Sequence, residues 1–164
     1  MTGVFVVGIF SLMILKTCEL ISIFLLIFVS GMYWGPWLAL SRSMRTFEPD
    51  IFLSIAHRMD KNMAQVMTFL VPISLVAAVP VLVLSFSQRP VTFYLGLVGL
   101  SLFLITLFVT LLIEVPIVKK IRGWELSSLP NNWQELRDRW GAFHYFRIIP
   151  SIVGLALFLI GAIF

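Results

Sequence analysis

EVPIVKKIRGWELSSLPNNWQELRDRWGAFHYFR, residues 114–147, separates two apolar runs, 91–113 before it and 148–164 behind it. It holds three of the five tryptophans and one of the two histidines. Within it Trp133, Arg137, Trp140, His144 and Arg147 recur at steps of 4, 3, 4 and 3. At about 100° per residue, these five side chains fall within roughly 80° of arc on one helical face. A helical seam that only packs would place Leu or Ile at those positions. This one is aromatic and cationic and leads straight into an apolar segment, so it reads as the lining of a site. Asn132 and Glu135 have the spacing of a capping box that opens the helix. Glu135 and Arg139 are placed for an i,i+4 ion pair on its outer face. No strong breaker stops this helix before Phe164, although Pro150 should bend it.

Composition fixes the class outward from there. The chain has 164 residues, 60% apolar and 12% charged, with 15 Phe. Its mean hydropathy is +1.02. Soluble domains carry about 25% charged residues, so this is a membrane composition. The formal charge of +4 sits on basic residues scattered through the loops, with no basic arm, which points away from a nucleic-acid partner. Cys18 is the single cysteine, so neither an internal disulfide nor a thiolate metal site can form. The P-loop, dinucleotide, G-x-S-x-G, HExxH and Cys-x-x-Cys-His patterns are all missing.

Four apolar segments reach the length of roughly 20 residues that a bilayer core demands. We expect spans at about 18–40, 62–86, 91–113 and 142–164 within a single membrane domain, 1–164, with residues 1–17 as an N-terminal extension. No positive charge precedes the first apolar run and no small-x-small site follows it, so no cleaved signal peptide is expected. Between the first two spans, Pro49 with Glu48 and Asp50 starts a short amphipathic helix. Gly96 and Gly99 allow close helix approach early in the third span. Pro116 should kink or end that span. Met59, Met63 and Met67, four apart, read as core filling. Tyr33, Trp34 and Trp37 near the end of the first span read as an interfacial belt or as pocket lining. The expected fold is all-α: an integral membrane four-helix bundle whose fourth helix carries a long cytoplasmic extension.

Charge then orients the bundle. Lys16 and Arg89 belong to one side; the other ten basic residues, Arg42, Arg45, Arg58, Lys61, Lys119, Lys120, Arg122, Arg137, Arg139 and Arg147, belong to the other. Ten against two places the basic side in the cytoplasm of an inner membrane and both termini outside. His57, before the second span, and His144, opening the fourth, then share the cytoplasmic end with Glu114. Ionisable groups at a membrane bundle's edge are costly unless they face inward and pair. The candidate site is therefore a cytoplasmic-side pocket lined by His57, Glu114, Trp133, Arg137, Trp140, His144 and Arg147. Three other readings stand beside it. The Trp and Arg side chains also suit an anchoring belt. The pocket also suits a non-enzymatic module for a lipid, a quinone or a partner span. Two histidines with Glu114 or Asp60 also form a plausible haem or metal ligand set, although no helix carries paired ligands. Oligomeric state has no signature.

The chain resembles the anthrone-oxygenase-like family of small four-span membrane proteins from about Lys16 onward. The likeness rests on Gly35-Pro36-Trp37 with Ser41-Arg42-Ser43-Met44, on Glu114-Val115-Pro116-Ile117, and on the spacing W-x3-R-x2-W-x3-H-x2-R from Trp133 to Arg147. The resemblance implies oxidation of an anthrone to an anthraquinone by dioxygen without a cofactor. It implies catalytic roles for His144, Arg137 and Arg147, with His144 as base and guanidinium as anion stabiliser. Trp133 and Trp140 would stack a planar, hydrophobic small molecule that arrives from the lipid bilayer. His57 and Glu114, from the pocket reading, are expected to bind it as well, and no metal is expected.

Overall fold

In a bilayer every backbone N–H and C=O must be satisfied within the chain, so long apolar segments become helices. The computed structural model is built that way. It describes residues 2–164, with side chains from Ile9 onward apart from that of Ser41. The helices are α1 (Thr2–Pro36), α2 (Pro49–Ser85), α3 (Pro90–Val109), α4 (Val115–Arg122) and α5 (Trp133–Ile163), and no strand occurs among the described residues. A π turn, Trp37–Ser41, prolongs α1, and a second, Thr110–Glu114, joins α3 to α4 without a break. Four rods result, each long and apolar enough to cross a membrane.

The rods form a ring in which α1 packs on α2 and α5, and α3 packs on α2 and α5. The tightest approach, between α3 and α5, is made by glycines. A Cβ on Gly99 would lie 2.8 Å from Phe158 Cδ2 and 2.9 Å from the Gly154 carbonyl oxygen. A Cβ on Gly154 would lie 3.0 Å from the Gly99 oxygen. Near the far end, Thr92 Oγ1 donates to the Gly161 carbonyl at 2.7 Å, and Ser22 Oγ donates to that of Ala77 at 2.7 Å. The outer faces are apolar, with Leu112 72% and Phe69 70% exposed, as lipid-facing positions require.

Several local expectations change. Residues 2–17 belong to the same continuous helix as 18–36; Met1 lies outside the described residues. The amphipathic helix after Pro49 is not a separate short element, because it runs on into the second rod as one helix of 37 residues. Pro116 does not end the third rod. Val115 N–H instead bonds the Thr110 carbonyl five residues back, and this wide turn takes up the residue before the proline. Asn132 makes no side-chain cap, since its φ of −98° and ψ of 19° are not the extended geometry a cap needs. Arg139 lies over the Phe143 ring at 5.9 Å instead of reaching Glu135.

Candidate functional site

The α1, α2, α4 and α5 ends that carry most of the basic residues gather at one end of the bundle. An apolar cluster of Met44, Phe52, Leu53, Ala56, Ile117, Ile121, Trp124 and Trp140 packs that end. Below it, a cavity of about 530 Å³ lies between α2 and the α3–α4 rod. Its floor is polar. Glu114 from the π turn and Trp140, His144 and Arg147 from α5 meet there with Tyr33 and Met32 of α1. Its wall is the ladder Met59, Met63 and Met67 of α2, facing Leu107, Leu111, Val115 and Val118. Leu111, Ala64 and Thr68 on this lining are exposed, so the cavity opens sideways between the two rods. At the loop end the rim is Asp60, Lys119 and Arg122, with Arg122 Nε donating to Asp60 at 2.7 Å.

The floor is a buried ionic network organised by one guanidinium. Arg147 Nη2 lies 2.8 Å from Glu114 Oε2 and 2.8 Å from His144 Nδ1, and Nη1 donates to Thr110 Oγ1 at 2.9 Å. The Trp140 Nε1–H donates to Glu114 Oε2 at 3.1 Å. The guanidinium carbon stands 4.8 Å from the centre of the Tyr33 ring, a cation–π contact. Exposures are 4% for Glu114, 5% for His144, 7% for Arg147 and 2% for Tyr33. Buried charges are tolerated when paired and hydrogen-bonded, and here one carboxylate faces one guanidinium. Four polar atoms nevertheless lack a hydrogen-bond partner: Glu114 Oε1, His144 Nε2, Arg147 Nε and the Tyr33 hydroxyl. Unmet buried polar atoms are rare and costly, and these four belong to residues that line the cavity.

Arginine has donors only, so His144 Nδ1 must accept from it, and the ring is the neutral tautomer with its proton on Nε2.

The stripe read from the sequence thus divides in two. Trp140, His144 and Arg147 line the cavity together with Glu114. Trp133 and Arg137 lie further toward the loops and do not line it: Arg137 stacks on Trp133 at 5.0 Å and pairs with Asp138 at 3.0 Å. Asp138 also meets Arg45 at 3.4 Å, tying the loop before α2 to the start of α5. Phe52 packs against both Trp133 and Trp140. His57 stands apart as well, its Nε2 3.0 Å from the Ile121 carbonyl, where it joins α2 to the end of α4. No three His, Cys, Asp or Glu side chains among the described residues are grouped to hold a metal ion. Sequence reasoning missed Thr110, which sits one turn before Glu114 on the same face, and the lining role of the methionine ladder.

A family model described as anthrone oxygenase matches residues 59–157, more than half of the chain and all of the cavity-facing residues of α2 to α5. No curated protein and no solved structure gives a match.

Proposed function

Since this chain belongs to the anthrone oxygenase family, we propose that it oxidises a planar, lipid-soluble aromatic of the anthrone type with dioxygen inside the cavity between α2 and α3–α4. The observation that carries this reading is the buried Glu114–Arg147–His144 network opening on an apolar cavity with its spare polar atoms unmet. A greasy substrate partitions into the bilayer, and the sideways opening admits it without passage through water. Methionine thioethers suit the wall, because they are polarisable and adapt to aromatic faces. Trp140 adds a flat surface at the floor.

The chemistry asks little more. Removal of a methylene proton turns an anthrone into an electron-rich enolate, which can reduce dioxygen directly. Oxygen then bonds to that carbon as a peroxide. Loss of the second methylene hydrogen as the O–O bond breaks leaves the quinone carbonyl and water. The carbon has lost two hydrogens and gained one oxygen atom, and the second oxygen atom leaves as water. No added cofactor enters this balance. Arg147 supplies the fixed positive charge for the oxyanion, in a setting where a preorganised charge is worth more than in water.

The basic loops are proposed to face the cytoplasm of an inner membrane and both termini to lie outside, following the ten-to-two distribution of Lys and Arg. The test of function is dioxygen consumption by purified protein in nanodiscs supplied with anthrone. One O₂ should disappear per quinone formed, and Arg147→Met should abolish the acceleration. Saturable anthrone binding with no O₂ uptake above the buffer rate would replace this reading by that of a binding module.

A further inference from the structure

The unmet atoms on the cavity floor are of two kinds, and the difference assigns roles. Glu114 Oε1 is an acceptor without a donor, because Oε2 alone takes both the Arg147 and the Trp140 N–H groups. The Tyr33 hydroxyl is a donor without an acceptor, 2% exposed, on the helix across the guanidinium from Glu114. His144 has no lone pair to offer. Nδ1 is occupied by the Arg147 N–H at 2.8 Å, and the remaining nitrogen carries the ring proton. For the ring to take a proton, Nδ1 would have to give up Arg147 and become a donor facing a cation.

We infer that the proton acceptor of this site is Glu114 Oε1, that the Tyr33 hydroxyl receives the oxygen of the enolate, and that His144 is a positioning residue that holds Arg147 in register. This rests on the oxygenase reading above and assigns residue roles within it. The ligand is a planar aromatic ketone whose acidic C–H and carbonyl lie on opposite edges of one ring. Glu114 on the π turn and Tyr33 on α1 both line the cavity, so the acceptor and the donor of this assignment come from two different rods. In the step itself, the C–H bond breaks and an O–H bond forms on Glu114. The electron pair moves through the ring to the carbonyl oxygen, which accepts the Tyr33 hydrogen bond. Arg147 stays paired to Glu114 Oε2 throughout, so the positive charge stands beside the enolate as it forms.

The experiment separates proton transfer from oxidation. Anthrone is incubated anaerobically with the protein in D₂O, and deuterium entry at its methylene is followed by NMR. Binding of a hydroxyanthraquinone, read by its visible absorbance, reports in parallel on an intact cavity. Glu114→Gln should slow exchange by about 10²–10⁴ while still binding the dye. Glu114→Asp keeps the carboxylate one methylene shorter and should retain part of the rate, which covers the case in which the Gln variant fails to fold. Tyr33→Phe should lose about 10–100-fold, the worth of one hydrogen bond to a developing charge. His144→Gln preserves an acceptor for Arg147 and should hold exchange within about tenfold of the parent, whereas loss of a true base would cost at least about 10². A His144→Gln protein that binds dye but is as slow as Glu114→Gln overturns the assignment, as does a Glu114→Gln protein that exchanges normally. If the unaltered protein accelerates neither exchange nor O₂ uptake, the oxygenase reading fails and takes this assignment with it. An active parent with the wrong variant order defeats the assignment alone.

Discussion

Cutting the Glu114–Arg147 pair from either side should show how much of the bundle's stability the site commands. Arg147→Met leaves the Glu114 carboxylate, 4% exposed, with the Trp140 N–H as its one remaining donor. Thr110 Oγ1 and His144 Nδ1 lose their donor in the same stroke. Breaking one side of a buried pair costs about 3–5 kcal/mol, because the surviving charge stays in low dielectric. Glu114→Leu strands the guanidinium and should cost a similar amount. In the double variant neither charge remains, and apolar side chains of similar volume replace buried pairs at little net cost. Against that stand the orphaned Trp140 N–H and His144 Nδ1, at about 1–3 kcal/mol for each group left unsatisfied, whereas the Thr110 hydroxyl keeps its bond to the Thr106 carbonyl. The double variant should therefore lie nearer the parent than the sum of the singles, with a coupling of about 3 kcal/mol. The assay is SDS titration in mixed micelles followed by tryptophan fluorescence, in which Trp140 is itself a reporter. Additive single losses below about 1 kcal/mol each would match a solvated surface pair and refute the buried network.

Three further outcomes follow from the geometry. Gly99→Ala should destabilise by about 1–3 kcal/mol, because its Cβ meets the Gly154 carbonyl as well as Phe158; Gly35→Ala, with nothing within 4 Å, should leave the same thermal unfolding unchanged. Arg137→Lys loses the fork that holds Asp138 and the Trp133 stack, and should lower stability by about 1–2 kcal/mol with turnover per folded molecule retained, while Arg139→Ala changes stability by under about 1 kcal/mol; a dead but stable Arg137→Lys would return Arg137 to the chemistry. Reporter fusions at Gln88 should read as external and fusions at Ser127 as cytoplasmic, and the reverse pattern would invert the bundle.

What the sequence determined by itself is what adds up along the chain. Hydropathy summed over some twenty residues found four membrane-grade helices, and the 4-3-4-3 spacing put Trp140, His144 and Arg147 on one face. Both are one-dimensional properties of a helix, so no tertiary information is needed to read them. The close approach at Gly99 was legible for the same reason, since a missing side chain acts wherever helices touch. Tertiary structure decided which of these groups meet. Helix rotation brought Tyr33 to Arg147, where the sequence had left it between an interfacial belt and a pocket lining. The wide turn ahead of Pro116 placed Thr110 and Glu114 together under the guanidinium, where a proline alone had signalled a helix end. Rotation also turned His57 onto the Ile121 carbonyl and set Arg137 beside Asp138, outside the cavity. Residue spacing fixes the face of a helix, but the partner across the gap depends on the rotation and depth of its neighbour, and these are set by packing the whole bundle at once.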